Sequence, residues 1–246
     1  MDDPDLSGRT VLVTGSAKGL GREILLAMAA CEAKTAVHYH TSADAAREVA
    51  ETARERGAPA ATTVQADVTD PDSVDGLFAA VESELGSVDV LVNNVGAFAP
   101  AHWEELDFGT WNRVLETNIN GTYLCSKRAL EPMRENGFGR IVNIGYASAE
   151  KGLVSPKNFP YFLAKTGVIM FTRMLAADTQ DDGITVNAVS PYVIENSDEF
   201  PDDLPRDRPA TFEDVTEPVL FFTDPETEYV SGENLEVDGG WLPETV

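Results

Sequence analysis

Basic residues are scarce in this chain. Eighteen lysines and arginines stand against 42 aspartates and glutamates, leaving a formal net charge of −24. Neutralising a phosphate backbone needs the opposite sign, so nucleic acid is not an expected partner. Cysteine is nearly absent: Cys31 and Cys125 are the two present, each in an apolar, helix-like pattern without His or acidic residues at ligand spacing. That predicts reduced, buried thiols, with neither a disulfide nor a metal site. No run of about eighteen apolar residues occurs, so no membrane-spanning helix is expected. The opening MDDPDLSGRT is acidic and lacks the basic-then-apolar order of a signal peptide, which predicts a cytoplasmic protein. No repeat, low-complexity tract or Gly/Ser linker divides residues 1–246, and one domain is the expectation.

The acid is dispersed, as at residues 2–5, 104–106, 198–203 and 224–228, rather than gathered in one tail. A hydrated acidic shell of this kind is the pattern of salt-adapted cytoplasmic proteins. Its self-repulsion weakens the fold at low ionic strength and is screened when salt is high.

Short β-branched runs alternate with helical stretches along the whole chain. Strands are expected at 10–14, 35–39, 61–66, 88–92, 140–144, 185–189 and 234–237, with early helical segments at 20–30, 43–56 and 71–85. Alternation of this sort predicts an α/β fold: a single-domain, Rossmann-like, doubly wound parallel sheet with helices on both faces. Several strands are apolar without alternation, as expected when both sheet faces are covered. The segment 195–209, rich in Asp, Glu and Pro, reads as an exposed loop.

Directly after the first strand comes Thr14-Gly15-Ser16-Ala17-Lys18-Gly19-Leu20-Gly21, which runs into a helix. A glycine-packed turn between strand and helix lets the backbone approach a pyrophosphate, and the helix N-terminus offers unpaired N–H groups and a positive dipole end. Further on, Tyr161 and Lys165 are four residues apart and share a helix face, with Pro160 suited to a first helical position. A cation beside a phenol favours phenolate and lowers its pKa towards the range useful for proton transfer.

The Gly15–Gly19–Gly21 spacing resembles that of the short-chain dehydrogenase/reductase family, and five further motifs fall in that family's order. They are Asp67-Val68, Asn93-Asn94-Val95-Gly96, Asn118 within Thr117–Gly121, Tyr161 with Lys165, and Tyr229–Gly232 with Val237–Gly240. The resemblance spans nearly the whole chain and is nearest to 3-oxoacyl-thioester reductase-like members. It implies hydride transfer between nicotinamide and a carbonyl or alcohol, with Tyr161 moving the proton. It implies that Lys165 also holds the nicotinamide ribose and that Asn118 holds a water linking Lys165 to solvent. Gly15, Ser16, Lys18, Gly19, Leu20 and Gly21 would cradle phosphate, Asp67 and Val68 would contact adenine, and Asn94 and Gly96 would complete the cofactor site.

The family also places a serine shortly after the fifth strand, where it polarises the substrate oxygen. Counted from the strand, that position holds Tyr146; counted back thirteen residues from Tyr161 it is Ser148. Both remain candidates, since a phenol donates the same hydrogen bond from further along its side chain. Pro191-Tyr192 replaces the family's Pro-Gly, Asn196 stands where a Thr often contacts the carboxamide, and the segment from Tyr192 to a helix beginning near Thr211 is shorter than the family's substrate lid.

No Asp or Glu ends the second strand, where a site preferring NAD would bind the ribose 2′-hydroxyl. Lys18, Thr41, Ser42 and His40 would instead accept a 2′-phosphate, so NADPH is favoured over NAD; the competing reading makes His38 and His40 ordinary surface residues. A 3-oxoacyl thioester or similar small ketone is the expected substrate. A sugar or polyol dehydrogenase, a pteridine-type reductase and a non-catalytic dinucleotide sensor are the alternatives. A homo-oligomer, a tetramer by the resemblance, is expected from surplus apolar residues on the helices near 108–124 and 161–175: Trp111, Val114, Leu115, Ile119, Val168, Ile169 and Phe171.

Overall fold

The structure, a computed structural model, describes residues 3–147, 149, 157–197 and 200–241. Seven strands form one parallel sheet: β1 (Thr10–Val13), β2 (Lys34–Tyr39), β3 (Ala61–Gln65), β4 (Val90–Asn93), β5 (Gly139–Ile144), β6 (Ile184–Pro191) and β7 (Asn234–Val237). Their spatial order is β3-β2-β1-β4-β5-β6-β7. Order reverses between β1 and β4, so the loops leaving their carboxyl ends diverge and open a crevice, the usual ligand position in such sheets.

Successive residues of the central strands serve opposite faces. Val11, Val13, Val90, Val92 and Val142 pack on one side against α1 (Gly19–Ala30), α2 (Ala43–Glu55) and α7 (Phe212–Thr223). Leu12, Leu91 and Ile141 pack on the other against α3 (Pro71–Leu85), α5 (Gly121–Asn136) and α6 (Phe159–Asp178). Burial on both faces is why these strands read as continuous apolar runs. Cys31 and Cys125 are buried and free, and burial raises their thiols to about 11 and about 12, which leaves them unreactive.

Observed element limits differ from the expected ones by one to a few residues, where backbone pairing continues past the apolar run, as in β6, or starts late, as in β4. The expected helix across 108–124 is interrupted. It consists of α4 (Phe108–Leu115), a π-helical turn Glu116–Asn120, and α5. Pro160 occupies the second position of α6 behind Phe159 rather than the first. The segment before α7 is exposed for most of its length, and Thr211 caps that helix through a reciprocal pair of hydrogen bonds with Asp214.

Candidate active site

The turn after β1 forms a backbone cradle at the N-terminus of α1. Lys18 precedes that helix without a side-chain cap, and no acidic residue lies in the first turn, so the helix end keeps its donors and positive dipole. Gly15 and Gly19 are set by their left-handed conformation as well as by contact, and Gly21 by contact alone. A Cβ at Gly21 would stand 2.7 Å from the Gly15 carbonyl oxygen and 2.5 Å from Asn94 Nδ2; Gly15 itself has φ +68° and faces Val95. The turn is thus as tight as the backbone allows, which leaves its outer side open to a phosphate. Asn94 Nδ2 donates to the Thr14 carbonyl at 2.9 Å, fastening β4's loop to the cradle.

His38 lies inside this arrangement. Its Nδ1 accepts the Gly15 N–H at 2.8 Å and its Nε2 lies 3.2 Å from the Ala66 carbonyl. Burial lowers its pKa to about 4, so it is neutral, with the proton on Nε2. The surface reading of His38 is therefore corrected, because β2 is an interior strand and the imidazole is enclosed between β1 and β3. Its neighbour Ser16 is fully buried, and its hydroxyl accepts the His38 N–H, so this side chain serves β2 rather than the mouth of the cradle.

Beside the cradle is a cavity of about 400 Å³ lined by Lys18, His40, Thr41, Ser42, Asp67, Val68, Arg113 and Thr117, among others. Gathered there are the base, the hydroxyls and the adenine-side pair that the sequence singles out, and His40 is exposed at its edge. Asp67 accepts two hydrogen bonds from Thr69, which lower its pKa and hold it ionised. Arg113 is a lining residue that sequence reading misses; it sits on α4, and nothing in the local pattern distinguishes it from a solvated helix arginine. The tight glycines and this cavity fit a dinucleotide.

At the far end of the crevice α6 presents Tyr161 and Lys165. Lys165 is buried; its Nζ donates to the Ile144 carbonyl at 2.7 Å and lies 5.7 Å from the centre of the Tyr161 ring. Burial lowers Lys165 to about 8 and raises Tyr161 above its ordinary value, with Tyr146 adding to that rise. The expected lowering of the phenol is thus not observed. Desolvation outweighs a cation held this far from the ring and turned to a carbonyl.

Asn118 lies on the π-helical turn, where the Gly121 N–H reaches back five residues to Glu116. Such a turn is a frequent device at functional sites. The Asn118 amide donates to the Ala97 and Val114 carbonyls at 2.7 and 2.9 Å. Its Oδ1 is buried with no partner among the described residues. A Cβ at Gly96 would stand 2.7 Å from that oxygen and 3.6 Å from Lys165 Nζ, so glycine keeps this volume open.

Relatives of known kind settle what this arrangement belongs to. A family model described as "Enoyl-(Acyl carrier protein) reductase" matches residues 15–242. A 3-oxoacyl-[acyl-carrier-protein] reductase of Synechocystis sp. is 34% identical, with 96% of this chain and 98% of the relative aligned. Glucose 1-dehydrogenase 2 of Bacillus subtilis is 32% identical, with 96% and 95% aligned. Among solved structures, a putative short-chain alcohol dehydrogenase from Sinorhizobium meliloti superposes with a TM-score of 0.89 at 28% identity, covering 96% of this chain and 97% of that one. The chain belongs to the short-chain dehydrogenase/reductase family. It is an oxidoreductase that uses a nicotinamide cofactor on carbonyl or alcohol groups.

Against the usual short-chain dehydrogenase/reductase pattern, the substrate side of this site is rich in rings. Tyr146 follows β5 and its ring is 5.6 Å from that of Tyr161. Ser148, the other candidate for the family serine, lies outside the described residues. Tyr192, in the place of the family's glycine, stacks on Trp241 at 4.1 Å and 12°. Asn196 leans over the cradle, since a Cβ at Gly19 would stand 2.9 Å from its Nδ2. The apolar surplus is distributed otherwise than expected: Val114, Val168 and Ile169 are core residues, while Phe108, Tyr123, Leu163, Met170 and Met174 are exposed. Among the described residues no helix is long and apolar enough to cross a membrane, and no group of three metal-binding side chains occurs.

Proposed function

We propose that this chain reduces a ketone with NADPH, the substrate being a 3-oxoacyl thioester or a similar small ketone. The observation that carries the reading is the convergence of Lys165 Nζ and Asn118 Oδ1 on the volume that Gly96 leaves open, with the Tyr161 ring centred 5.7 Å from the same Nζ. Gly15, Gly19 and Gly21, with the amide of Leu20, take the pyrophosphate, while Ser16 ties the turn to β2 through both its amide and its hydroxyl. Asp67, Val68, Asn94 and Gly96 line the rest of the cofactor's path, and Lys18, His40, Thr41 and Ser42 receive the 2′-phosphate.

When bound, the reduced nicotinamide supplies the hydride. Tyr161 gives its proton to the carbonyl oxygen as that oxygen gains charge, the phenol being raised by burial and protonated at neutral pH. Lys165, charged below about pH 8, stabilises the phenolate left behind and holds the ribose. Asn118 Oδ1 supplies the acceptor for a water through which Lys165 recovers a proton. Tyr146 donates the second hydrogen bond to the substrate oxygen, with Ser148 the alternative. Oxidation of a sugar or polyol is the second reading, favoured by the glucose dehydrogenase relative.

The reading is tested by following NADPH absorbance in molar KCl against a panel of ketones, with NADPH and NADH affinities titrated by fluorescence. Ketone-dependent oxidation and tighter NADPH binding are expected. Equal or inverted cofactor affinities would overturn the NADPH assignment, and turnover only of polyols with the oxidised cofactor would replace the substrate class.

A further inference from the structure

Five rings form a continuous chain across the Tyr161 end of the crevice. Phe98 and Tyr146 each meet the Tyr161 ring nearly perpendicular, at 5.2 and 5.6 Å. Tyr146 is 6.3 Å from Tyr192, which stacks on Trp241. These residues come from the β4 loop, the ends of β5 and β6, α6 and the segment after β7. None of the five is fully buried, and Phe98 is 45% exposed. Aromatic faces left partly in water next to a proton donor are apolar area waiting for a partner.

Tyr192, where the family pattern has glycine, and Tyr146, one of the two candidates for its serine position, are neighbours in space. Each adds a ring, so together they narrow the site from one side and line it with ring faces and edges, Tyr146 being inclined by 50° to Tyr192 and 72° to Tyr161. A linear acyl chain gains little from such a wall, because it touches ring faces along a single edge. A planar or fused-ring ketone meets the face of one ring and the edge of the next, the offset and edge-on geometries that aromatic pairs prefer. The rings of Phe98, Tyr146, Tyr192 and Trp241 carry no cation that could pair with an anionic substrate carrier such as a phosphate-bearing thioester, so an uncharged ketone suits them better.

We infer that the substrate is a flat, uncharged, ring-bearing ketone, or the corresponding secondary alcohol, recognised by the wall of Phe98, Tyr146, Tyr192 and Trp241. This rests on the reading of Tyr161 as proton donor and selects, among the substrates that reading allows, the cyclic ketones over the thioesters.

The test compares kcat/KM for β-tetralone, a straight-chain methyl ketone of the same carbon number, and the neutral N-acetylcysteamine thioester of acetoacetate, with saturating NADPH in molar KCl. β-Tetralone should be preferred by about tenfold or more. Tyr192→Gly should lower kcat/KM for β-tetralone about tenfold more than for the straight-chain ketone. Equal or better use of either linear substrate by the unaltered enzyme overturns the inference, whatever the variant does.

Absence of turnover with every carbonyl would defeat the proton-donor reading, not the ring wall. In that event quenching of tryptophan fluorescence in the NADP-loaded protein decides the wall separately, with Trp241→Phe identifying the responding ring. Binding of β-tetralone about tenfold tighter than the linear ketone supports the inference, and equal binding overturns it.

Discussion

The imidazole Nδ1 of His38 accepts the backbone N–H of Gly15 at 2.8 Å, so a side chain of β2 holds the first turn of the phosphate cradle in place. Replacing it by alanine leaves that N–H without its acceptor, which should lower unfolding stability by about 1–3 kcal/mol and weaken NADPH binding. His38→Asn, which keeps an acceptor, should recover part of both. The pH dependence has a definite sign. With a folded pKa of about 4 against an ordinary 6.5, the unfolded chain binds the extra proton between those values, so stability falls as pH drops through that window. Urea unfolding at pH 7 and pH 5 should show a steeper loss for the parent protein than for His38→Asn; equal losses would show that the imidazole is not the group responsible.

Tyr161→Phe removes the proton donor and keeps the ring, so turnover should drop roughly 10²–10⁴-fold with NADPH affinity near that of the parent. Tyr146→Phe should cost roughly 10²–10³-fold, the effect of losing one hydrogen bond to a developing oxyanion, whereas Ser148→Ala should alter mainly substrate preference. The opposite pattern would transfer the role to Ser148. Since burial raises Tyr161 and lowers Lys165 to about 8, ketone reduction should decline above about pH 8 as Lys165 discharges, while alcohol oxidation, which needs the phenolate, should rise only at higher pH, where Tyr161 itself ionises. A pair of pH–rate profiles, one in each direction, checks this, and parallel profiles would contradict it.

On α6, Leu163, Met170 and Met174 are 57%, 57% and 65% exposed, and their spacing places them along one stripe of the helix. A second copy would cover this stripe, so the expected state is a homo-oligomer, a tetramer by family resemblance. Light scattering in molar KCl should report it, and Met170→Glu with Met174→Glu should give a smaller species. A monomeric parent protein would refute the proposal.

The net charge of −24 predicts a strong dependence of stability on salt. Repulsion among dispersed carboxylates is screened within about 3 Å at 1 M salt, against about 10 Å at 0.1 M. The melting temperature should therefore rise steadily from low to molar KCl. A flat response would mean that the acidic surface exerts no net strain on the fold.

Fold class was legible because both of its signals are local. Apolar β-branched runs such as Val11–Val13 and Ile141–Ile144, spaced by helical segments, dictate a parallel sheet covered on both sides, and a turn as tight as Gly15–Gly21 tolerates no Cβ at its close contacts. Ordered motifs likewise point to Asn118, Tyr161 and Lys165, which the fold brings to one end of the crevice. What only the tertiary structure decided was environment. Whether His38 faced water or the sheet interior depended on β3 pairing outside β2, and the placing of the Asn118 oxygen, without a partner among the described residues, depended on a π-helical turn with no distinct composition. The pKa of Tyr161 depended on how far burial outweighed Lys165, a balance of desolvation and distance that spacing along the chain does not contain. Tyr146 and Tyr192, 46 residues apart in the chain, became one wall because β5 and β6 pair side by side and end together. Periodicity sets which face a residue belongs to; which other residues meet it there is set by the packing of the whole sheet.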